Sequence, residues 1–310
     1  MVLEMTKIIK CAVIGTGYLG KFHAEKYTKL PNARLIAICD TDPIRTQTIA
    51  KNHGIATYTD YRELLGQVDA VSITTTTTTH YAIAKAFLQS KTHVLLEKPI
   101  TTTIAEAQEL IALAQKNQVI LQSGHLERFN AAFTALNKEI VQPSIMTAVR
   151  LAPYKPRGND VSVVLDLMIH DIDLVCHLAQ SEITNIQAKT ATVISPTSDF
   201  ALATLEFASG CIAHLTASRI SPNTQRTLTV IQNNVGLHAD LQNTTLIINR
   251  QDPTVSTSMT KATTMTLTKG DALLDEITSF INAIVQHQSP AVSGVDGMRA
   301  LHIAQQINEN

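Results

Sequence analysis

The feature that most constrains the fold of this sequence is a regular alternation of short β-rich runs with helical patterns between Lys7 and about Gln122. The runs are apolar throughout, which is typical of strands buried on both faces of a sheet. They read KIIKCAVI, ARLIAIC, DAVSIT, THVLLE and VILQ. Because parallel strands need crossover connections, which helices usually supply, the alternation predicts a doubly wound α/β domain with a parallel sheet.

The pattern changes after Ser123. A long helical pattern runs from about Val161 to Leu178, and strand-like stretches without intervening helices follow it to about Leu267. Consecutive strands of this kind indicate a mainly antiparallel sheet. The length of 310 residues also suits about two domains. We therefore predict one domain over residues 1–123 and a second over residues 124–310.

Composition excludes several classes of protein. Apolar residues make up 45% of the chain and charged residues 16%, a balance typical of a globular protein. A formal net charge of −1 argues against binding to nucleic acid through phosphates. Every apolar run is shorter than a membrane span, and the N-terminus carries no pattern of a secretory signal. Four widely spaced cysteines argue against a disulfide framework, so we expect a soluble, cytoplasmic protein.

The run GTGYLG lies between the first strand and the first helix, where a glycine-rich loop can bind a dinucleotide. Gly15 would allow the tight turn, Gly17 the approach of a pyrophosphate and Gly20 close packing of the helix. Asp40 ends the next strand, where its carboxylate could accept a ribose diol and repel a 2′-phosphate. This favours NAD over NADP, although Arg45 could recruit a phosphate. The alternative is that the glycines only make turns and Asp40 only caps a helix. The residues predicted here to contact NAD are Gly15, Thr16, Gly17, Tyr18, Leu19, Gly20 and Asp40.

The fifth strand ends in the tripeptide EKP, at Glu97, Lys98 and Pro99. Ligands of open α/β sheets bind at this carboxyl edge. Pro99 restricts the backbone of Lys98, so the lysine side chain could point into a cleft. The alternative interpretation is an ordinary surface lysine in a turn.

The helical segment DLMIHDIDLVCH carries a polar stripe on an otherwise apolar helix. A step of 100° per residue places Asp166, His170, Asp173 and His177 within an arc of about 60°, while Asp171 falls off the stripe and is expected to face solvent. Three interpretations remain open. They are a satisfied structural network, a metal site formed by His170, Asp173 and His177, and an acid/base pair of Asp166 and His170. We favour the acid/base pair and predict no metal.

Together these residues predict the oxidation of a secondary alcohol. The alcohol gives hydride to the nicotinamide, and His170 or Lys98 takes the hydroxyl proton. Asp166 would orient the imidazole. The cationic side chain of Lys98 would stabilise the developing alkoxide.

The chain resembles the Gfo/Idh/MocA family of sugar and inositol oxidoreductases over essentially its whole length. The motifs that carry the resemblance are GTGYLG, CDTDP, VDAVSITT, HVLLEKPIT, HLERFN, DLMIHDID and PAVSGVDGMRALHIAQQ. The resemblance implies a Rossmann domain, followed by an α/β domain with a large open sheet that often mediates oligomerisation. We therefore expect a homodimer or homotetramer. It also implies catalytic roles for Lys98, Asp166 and His170. Thr76 stands where many members have proline. Further contacts to NAD are expected from Thr75, Thr76, His80, Glu97 and Lys98.

Within the family, GHLERFN and VVLDLMIHDIDL resemble the branch that acts on nucleotide-linked amino sugars. This implies oxidation of the 3-hydroxyl of UDP-N-acetylglucosamine to a ketone. The polar residues expected near the substrate are Lys98, Arg128, Asn130, Lys155, Arg157, Asp166 and His170. Two alternatives are a dehydrogenase of a free sugar or myo-inositol, and a non-catalytic NAD-binding regulatory protein.

Overall fold

The computed structural model describes residues 7–155, 158, 159, 161–251 and 260–309. The chain forms two compact units, one of residues 1–126 and 271–298, the other of residues 127–270 and 299–310. The segment 271–298 thus belongs to the first unit, although we predicted it as part of a second domain over residues 124–310. The reason lies in its helix, whose apolar side chains pack in the core of the first unit.

The first unit is built on a six-stranded parallel sheet with the strand order β3-β2-β1-β4-β5-β6. Its strands are β1 (Ile9–Ile14), β2 (Ala33–Cys39), β3 (Ala56–Tyr58), β4 (Ala70–Ile73), β5 (His93–Glu97) and β6 (Leu121–Gly124). Its helices are α1 (Tyr18–Tyr27), α2 (Pro43–His53), α3 (Thr77–Gln89), α4 (Ile104–Asn117) and α7 (Ala272–Gln286), with the start of α8 (Gly294–Glu309). The strand order reverses between β1 and β4, which is where ligands bind in open α/β sheets. The predicted doubly wound parallel sheet is confirmed.

Local signals in the sequence determine where these helices begin and end. The side chain of Asp42 caps α2 by accepting from Ile44 N at 3.0 Å, and Gly54 ends the helix with φ at +64°. Thr103 and Glu106 form a reciprocal capping box at the start of α4. Glycine tolerates the left-handed conformation, so α2 ends at Gly54, where that conformation costs little.

The second unit is an eight-stranded sheet with the order β14-β13-β12-β11-β7-β10-β9-β8. Its strands are β7 (Pro143–Leu151), β8 (Ile183–Ala191), β9 (Phe200–Phe207), β10 (Ile212–Ser218), β11 (Gln225–Gln232), β12 (Val235–Asp240), β13 (Thr245–Gln251) and β14 (Thr260–Thr266). Only β7 and β10 pair in parallel among these strands, so the predicted mainly antiparallel sheet is confirmed. The helices are α5 (Ala131–Asn137) and α6 (Ile169–Ala179), and a π-helical segment, Val164–Met168, directly precedes α6.

The core of the second unit lies between one face of its sheet and the helices. Phe133 of α5, Ile172 of α6 and Ile303 of α8 pack there against apolar residues of the strands. Burial of these apolar side chains is the main favourable contribution to the folding of the unit. Within the described part of the chain, no helix is long and apolar enough to cross a membrane.

Candidate functional site

The glycine-rich loop connects β1 to α1 in the first unit. Gly15 has a φ of +91°, and a Cβ there would lie 2.8 Å from Thr75 Cγ2, so only glycine fits. A Cβ at Gly20 would overlap the carbonyl oxygen of Gly15. At Gly17, in contrast, a Cβ would meet no atom within 4 Å, and no side chain caps the helix there. The open approach and the uncapped N–H groups of α1 fit a bound pyrophosphate.

Asp40 lies at the carboxyl end of β2, beside this loop. One carboxylate oxygen accepts from Thr16 N at 2.6 Å and Thr16 Oγ1 at 2.9 Å, and the other accepts from Asp42 N at 3.0 Å. Burial raises the pKa of Asp40, but these hydrogen bonds outweigh burial and hold the pKa below its ordinary value. The ionised carboxylate retains capacity to accept from a ribose hydroxyl. Asp40 therefore fits the role predicted for it at NAD.

The loop after β4 contacts the glycine loop directly. Thr74 Oγ1 donates to the carbonyl oxygen of Gly15 at 2.6 Å. Thr76, which replaces the proline of many family members, has φ −71° and ψ 143° at the N-cap of α3. Proline adopts the same φ, so the threonine preserves the path of the loop.

His80 is buried below this loop and lies between two backbone carbonyls. Its Nδ1 lies 2.9 Å from the oxygen of Pro99, and its Nε2 lies 3.2 Å from the oxygen of Thr75. Burial lowers the pKa of His80, although both carbonyls act in the opposite direction. Both ring nitrogens face backbone, so any effect of His80 on the cofactor would act through the two loops that it joins.

Lys98 follows β5 at the same edge of the sheet, and its peptide bond to Pro99 is cis. Its side chain is half-buried, and its backbone N–H donates to Glu97 Oε2 at 3.2 Å. Glu97 is buried and also pairs with His23 of α1, whose Nε2 lies 3.1 Å from Glu97 Oε1. The glycine loop, Asp40, the loop after β4 and Lys98 therefore cluster at the switch point of the first unit.

Asp166 and His170 lie in the second unit, and both side chains are half-buried. Asp166 belongs to the π-helical segment, whereas His170 belongs to α6. A π turn is wider than an α turn, so the step of 100° that predicted the polar stripe does not apply across it. The loop beside Asp166 is held by Arg219, which donates to the carbonyl oxygens of Gly158 at 2.7 Å and Val161 at 2.6 Å.

The prediction that Asp171 faces solvent is wrong. Asp171 is 3% exposed and accepts two hydrogen bonds from Arg150, at 2.9 and 2.8 Å. Arg150 also donates to Glu127 at 2.9 Å, and Arg226 lies 3.6 Å from the same carboxylate. Burial alone would lower the pKa of Arg150, but the two carboxylates outweigh burial and raise it above its ordinary value. The step of 100° per residue describes one helix alone, so it could not show that Asp171 pairs with Arg150 of β7.

Two residues predicted to bind substrate also have structural contacts. Arg128 forms two hydrogen bonds to Asp173, at 2.5 and 2.8 Å, in a buried ion pair. Asn130 caps α5 by accepting from Ala132 N at 3.0 Å. Arg157 lies outside the described residues. Lys155, two residues earlier in the chain, is described and exposed. Contacts between the substrate and any of these four residues stay predictions.

The ion pair also bears on the metal interpretation of the stripe, since both carboxylate oxygens of Asp173 accept from Arg128. Across the described residues, no group of three or more His, Cys, Asp or Glu side chains could hold a metal ion.

Sequence reasoning overlooked three buried ionisable side chains, namely His23, Arg150 and Glu276. A signal for Glu276 existed, because it lies one turn before Phe280 on the apolar face of α7, where a carboxylate is unexpected. Arg150 had no comparable signal, since its partners are distant in sequence.

Comparison with known proteins shows the family of this chain. The model of the oxidoreductase family with an NAD-binding Rossmann fold, Gfo/Idh/MocA, matches residues 9–125, and the model of the family's C-terminal domain matches residues 147–236. The chain is 35% identical over 302 residues to UDP-N-acetylglucosamine 3-dehydrogenase of Acidithiobacillus ferrooxidans, covering 96% of each protein. The chain belongs to the Gfo/Idh/MocA oxidoreductase family.

The similarity to this enzyme extends to its solved structure, and a second dehydrogenase is similar over most of its length. A solved structure of the Acidithiobacillus ferrooxidans enzyme, at 34% identity, superimposes with a TM-score of 0.91 and covers 97% of both chains. Myo-inositol 2-dehydrogenase of Thermotoga maritima is 28% identical over 315 residues, which is 94% of this chain and 93% of that protein. The chain is thus an oxidoreductase with NAD as its cofactor, and its glycine loop and Asp40 fit that dinucleotide.

Proposed function

We propose that this protein is an NAD-dependent dehydrogenase that oxidises the 3-hydroxyl of UDP-N-acetylglucosamine to a ketone. The observation that carries the proposal is the 35% identity, over 96% of both chains, to UDP-N-acetylglucosamine 3-dehydrogenase of Acidithiobacillus ferrooxidans. The myo-inositol 2-dehydrogenase is less similar, at 28%. A nucleotide sugar is therefore a better candidate for the substrate than a free polyol.

The proposed chemistry assigns each catalytic side chain one task. When bound, NAD would be held by the glycine loop and Asp40 and would supply the acceptor for the hydride from the carbon that carries the hydroxyl. His170 takes the hydroxyl proton, with Lys98 as the alternative acceptor, and Asp166 orients the imidazole. The positive charge of Lys98 stabilises the negative charge that develops on the oxygen.

The substrate is tested by NADH formation with UDP-N-acetylglucosamine, UDP-glucose, glucose and myo-inositol. We expect kcat/KM to be at least about tenfold higher for UDP-N-acetylglucosamine, because differences in binding of a few kcal/mol separate such substrates. Turnover confined to free glucose or inositol would overturn the nucleotide-sugar assignment. Binding of NAD without turnover of any of the four would support the non-catalytic regulatory alternative.

Cofactor preference depends on Asp40. We expect Asp40→Ala to weaken NAD binding and to narrow the preference for NAD over NADP, since it removes both the ribose acceptor and the repulsion of a 2′-phosphate. Arg45, the cation considered as a phosphate ligand, pairs with Asp42 at 3.1 Å. Titration of both cofactors against wild type and variant measures the effect, and Arg45→Ala is the matched control. A wild-type preference for NADP would contradict the prediction.

We also propose that the protein is a cytoplasmic homo-oligomer. The four cysteines Cys11, Cys39, Cys176 and Cys211 are buried and unbridged, as suits a reducing compartment. On the second unit, Ile212, Ile145 and Ile231 form an apolar row across three neighbouring strands, and they are 37%, 46% and 43% exposed. Such a row supports association through this face of the sheet.

Association through this face is tested with Ile145→Asp. We expect the wild type to run as a dimer or tetramer in size-exclusion chromatography with light scattering, and the variant to dissociate, because a carboxylate in an apolar interface is strongly disfavoured. Ile44→Asp changes an isoleucine of α2 that is 75% exposed and is the control. A monomeric wild type at micromolar concentration would contradict the prediction.

A further inference from the structure

A chain of contacts in the first unit links the nucleotide-binding helix to the lysine loop. His23 lies on α1, the helix that begins directly after the glycine loop, and is 0% exposed. Its Nε2 lies 3.1 Å from Glu97 Oε1, and the other oxygen of Glu97 accepts from Lys98 N at 3.2 Å. Within the described residues, Nδ1 of His23 has no hydrogen-bond partner. The bond to Glu97 is therefore the contact that orients this imidazole.

A second buried carboxyl lies near this pair. Glu276 of α7 is 0% exposed, and neither of its oxygens has a hydrogen-bond donor in the described part of the chain. Burial, followed by repulsion from Glu97, raises the pKa of Glu276 well above its ordinary value. The two buried carboxyls therefore differ in direction, since the pKa of Glu276 is raised and that of Glu97 is lowered.

We propose that His23 is a positioning residue for the dehydrogenase reaction, which orients Glu97 and, through Glu97, holds the backbone of Lys98 in place. The inference rests on the proposed catalytic role of Lys98. Helix α1 would then act in two ways. Its N-terminus would bind the dinucleotide, and His23 on its buried side would support the backbone at Lys98.

The physical basis is the cost of burying a carboxylate. Glu97 has little contact with solvent, and Gly124 on β6 provides the room for its side chain, since a Cβ there would lie 3.0 Å from Glu97 Oε2. A buried carboxylate stays charged only when donors or cations compensate for lost water. An ionised Glu97 can only accept, so His23 then donates such a bond from Nε2, and Lys98 supplies its backbone N–H.

The charged state of Glu97 depends on the groups that face it. They are His23 from α1, His80 from α3, Glu276 from α7 and the adjacent Lys98. Burial raises the pKa of Glu97, but its hydrogen bond to His23 and the neighbouring Lys98 hold it below its ordinary value. Without His23 the pKa must rise, so Glu97 would take up a proton at higher pH and the acid limb of kcat/KM would move to higher pH.

The experiment compares His23→Leu, His23→Gln and the wild type. We expect the leucine variant to lower kcat by roughly tenfold, with its acid limb at higher pH and its NAD affinity within about threefold of wild type. Glutamine can donate an N–H from a similar position, so it should restore kcat to within about threefold of the wild type. The carboxyl titration of Glu97, followed by carbon-13 NMR in the cofactor-free protein, gives a readout that does not depend on activity.

His93→Leu is the matched control. His93 lies on the same strand as Glu97 but at its opposite end, where its Nδ1 accepts from Ile120 N at 2.9 Å. Loss of this part-buried bond should lower stability without moving the titration of Glu97. An unchanged titration in His23→Leu, a glutamine variant no better than leucine, or equal effects of the two leucine variants would overturn the inference.

Failure of the proposed function has a different signature. If Lys98→Ala keeps the wild-type kcat, the catalytic role of Lys98 is wrong and the positioning role of His23 is overturned with it. If the wild type oxidises none of the sugars, the proposed substrate is wrong, while the titration of Glu97 in wild type and His23→Leu still decides whether His23 controls that carboxylate.

Discussion

Replacing His170 with alanine is expected to lower kcat by roughly 10²- to 10⁴-fold, the usual contribution of a positioned general base. NAD affinity should stay nearly unchanged, because the glycine loop and Asp40 belong to the first unit and His170 to the second. Steady-state kinetics with UDP-N-acetylglucosamine, together with a direct titration of NAD, separates the two effects. His177→Ala is the control, since His177 lies on the same helix but packs against Phe133, with ring centres 6.0 Å apart.

Lys98→Ala should cause a loss of similar size. If the two side chains act as one catalytic unit, the double variant should cost much less than the product of the single losses. A His170→Ala variant with near-normal kcat and a lower melting temperature would show instead that the histidine belongs to a structural network. The acid/base assignment of this helix would then be wrong.

The second large effect is expected on stability. Asp171→Ala should lower the free energy of unfolding of the second unit by about 3–5 kcal/mol, because it leaves the guanidinium of Arg150 buried without its bidentate partner. Urea denaturation followed by circular dichroism measures this change. Proteins of more than one domain often unfold in more than one transition, so the transition that shifts must be assigned before its free energy is read.

Two variants make this test specific. Arg226→Ala removes a cation that is 45% exposed in its side chain and lies on the solvent side of the same cluster, so it should cost less than about 1 kcal/mol. The triple replacement Arg150→Met, Asp171→Leu and Glu127→Leu removes both carboxylates that pair with Arg150, and it should recover much of the loss, since apolar side chains can replace buried ion pairs. Equal costs for Asp171→Ala and Arg226→Ala would show that burial of the pair contributes little.

Much of the first unit could be predicted from the sequence because its signals are local. Apolar runs, glycine spacing and the proline after Lys98 act within a few residues, and they marked the strands and the loops at the switch point. The same reasoning located Asp40 at the end of β2, where its carboxylate meets the glycine loop. The cofactor followed from these positions.

The rest depends on contacts between residues that are distant in the chain. The pattern of α7 indicates a buried face but not the core that buries it, and Phe280 packs in the first unit rather than the second. The pairing of Asp171 with Arg150 joins a helix to a strand, so a helical wheel placed the carboxylate in solvent. The π-helical segment arises from a shift in backbone hydrogen bonding that side-chain periodicity does not encode.

The position of residues 271–298 has a consequence for synthesis on the ribosome. Helix α7 contributes Ile277, Phe280 and Ile284 to the core that also contains Tyr27 of α1, yet it is translated after almost the whole second unit. At typical elongation rates, translation from residue 126 to residue 298 takes on the order of ten seconds. During that time the nascent nucleotide-binding unit has an uncovered apolar surface, so its completion must await the emergence of α7, and chaperones have an interval in which to bind.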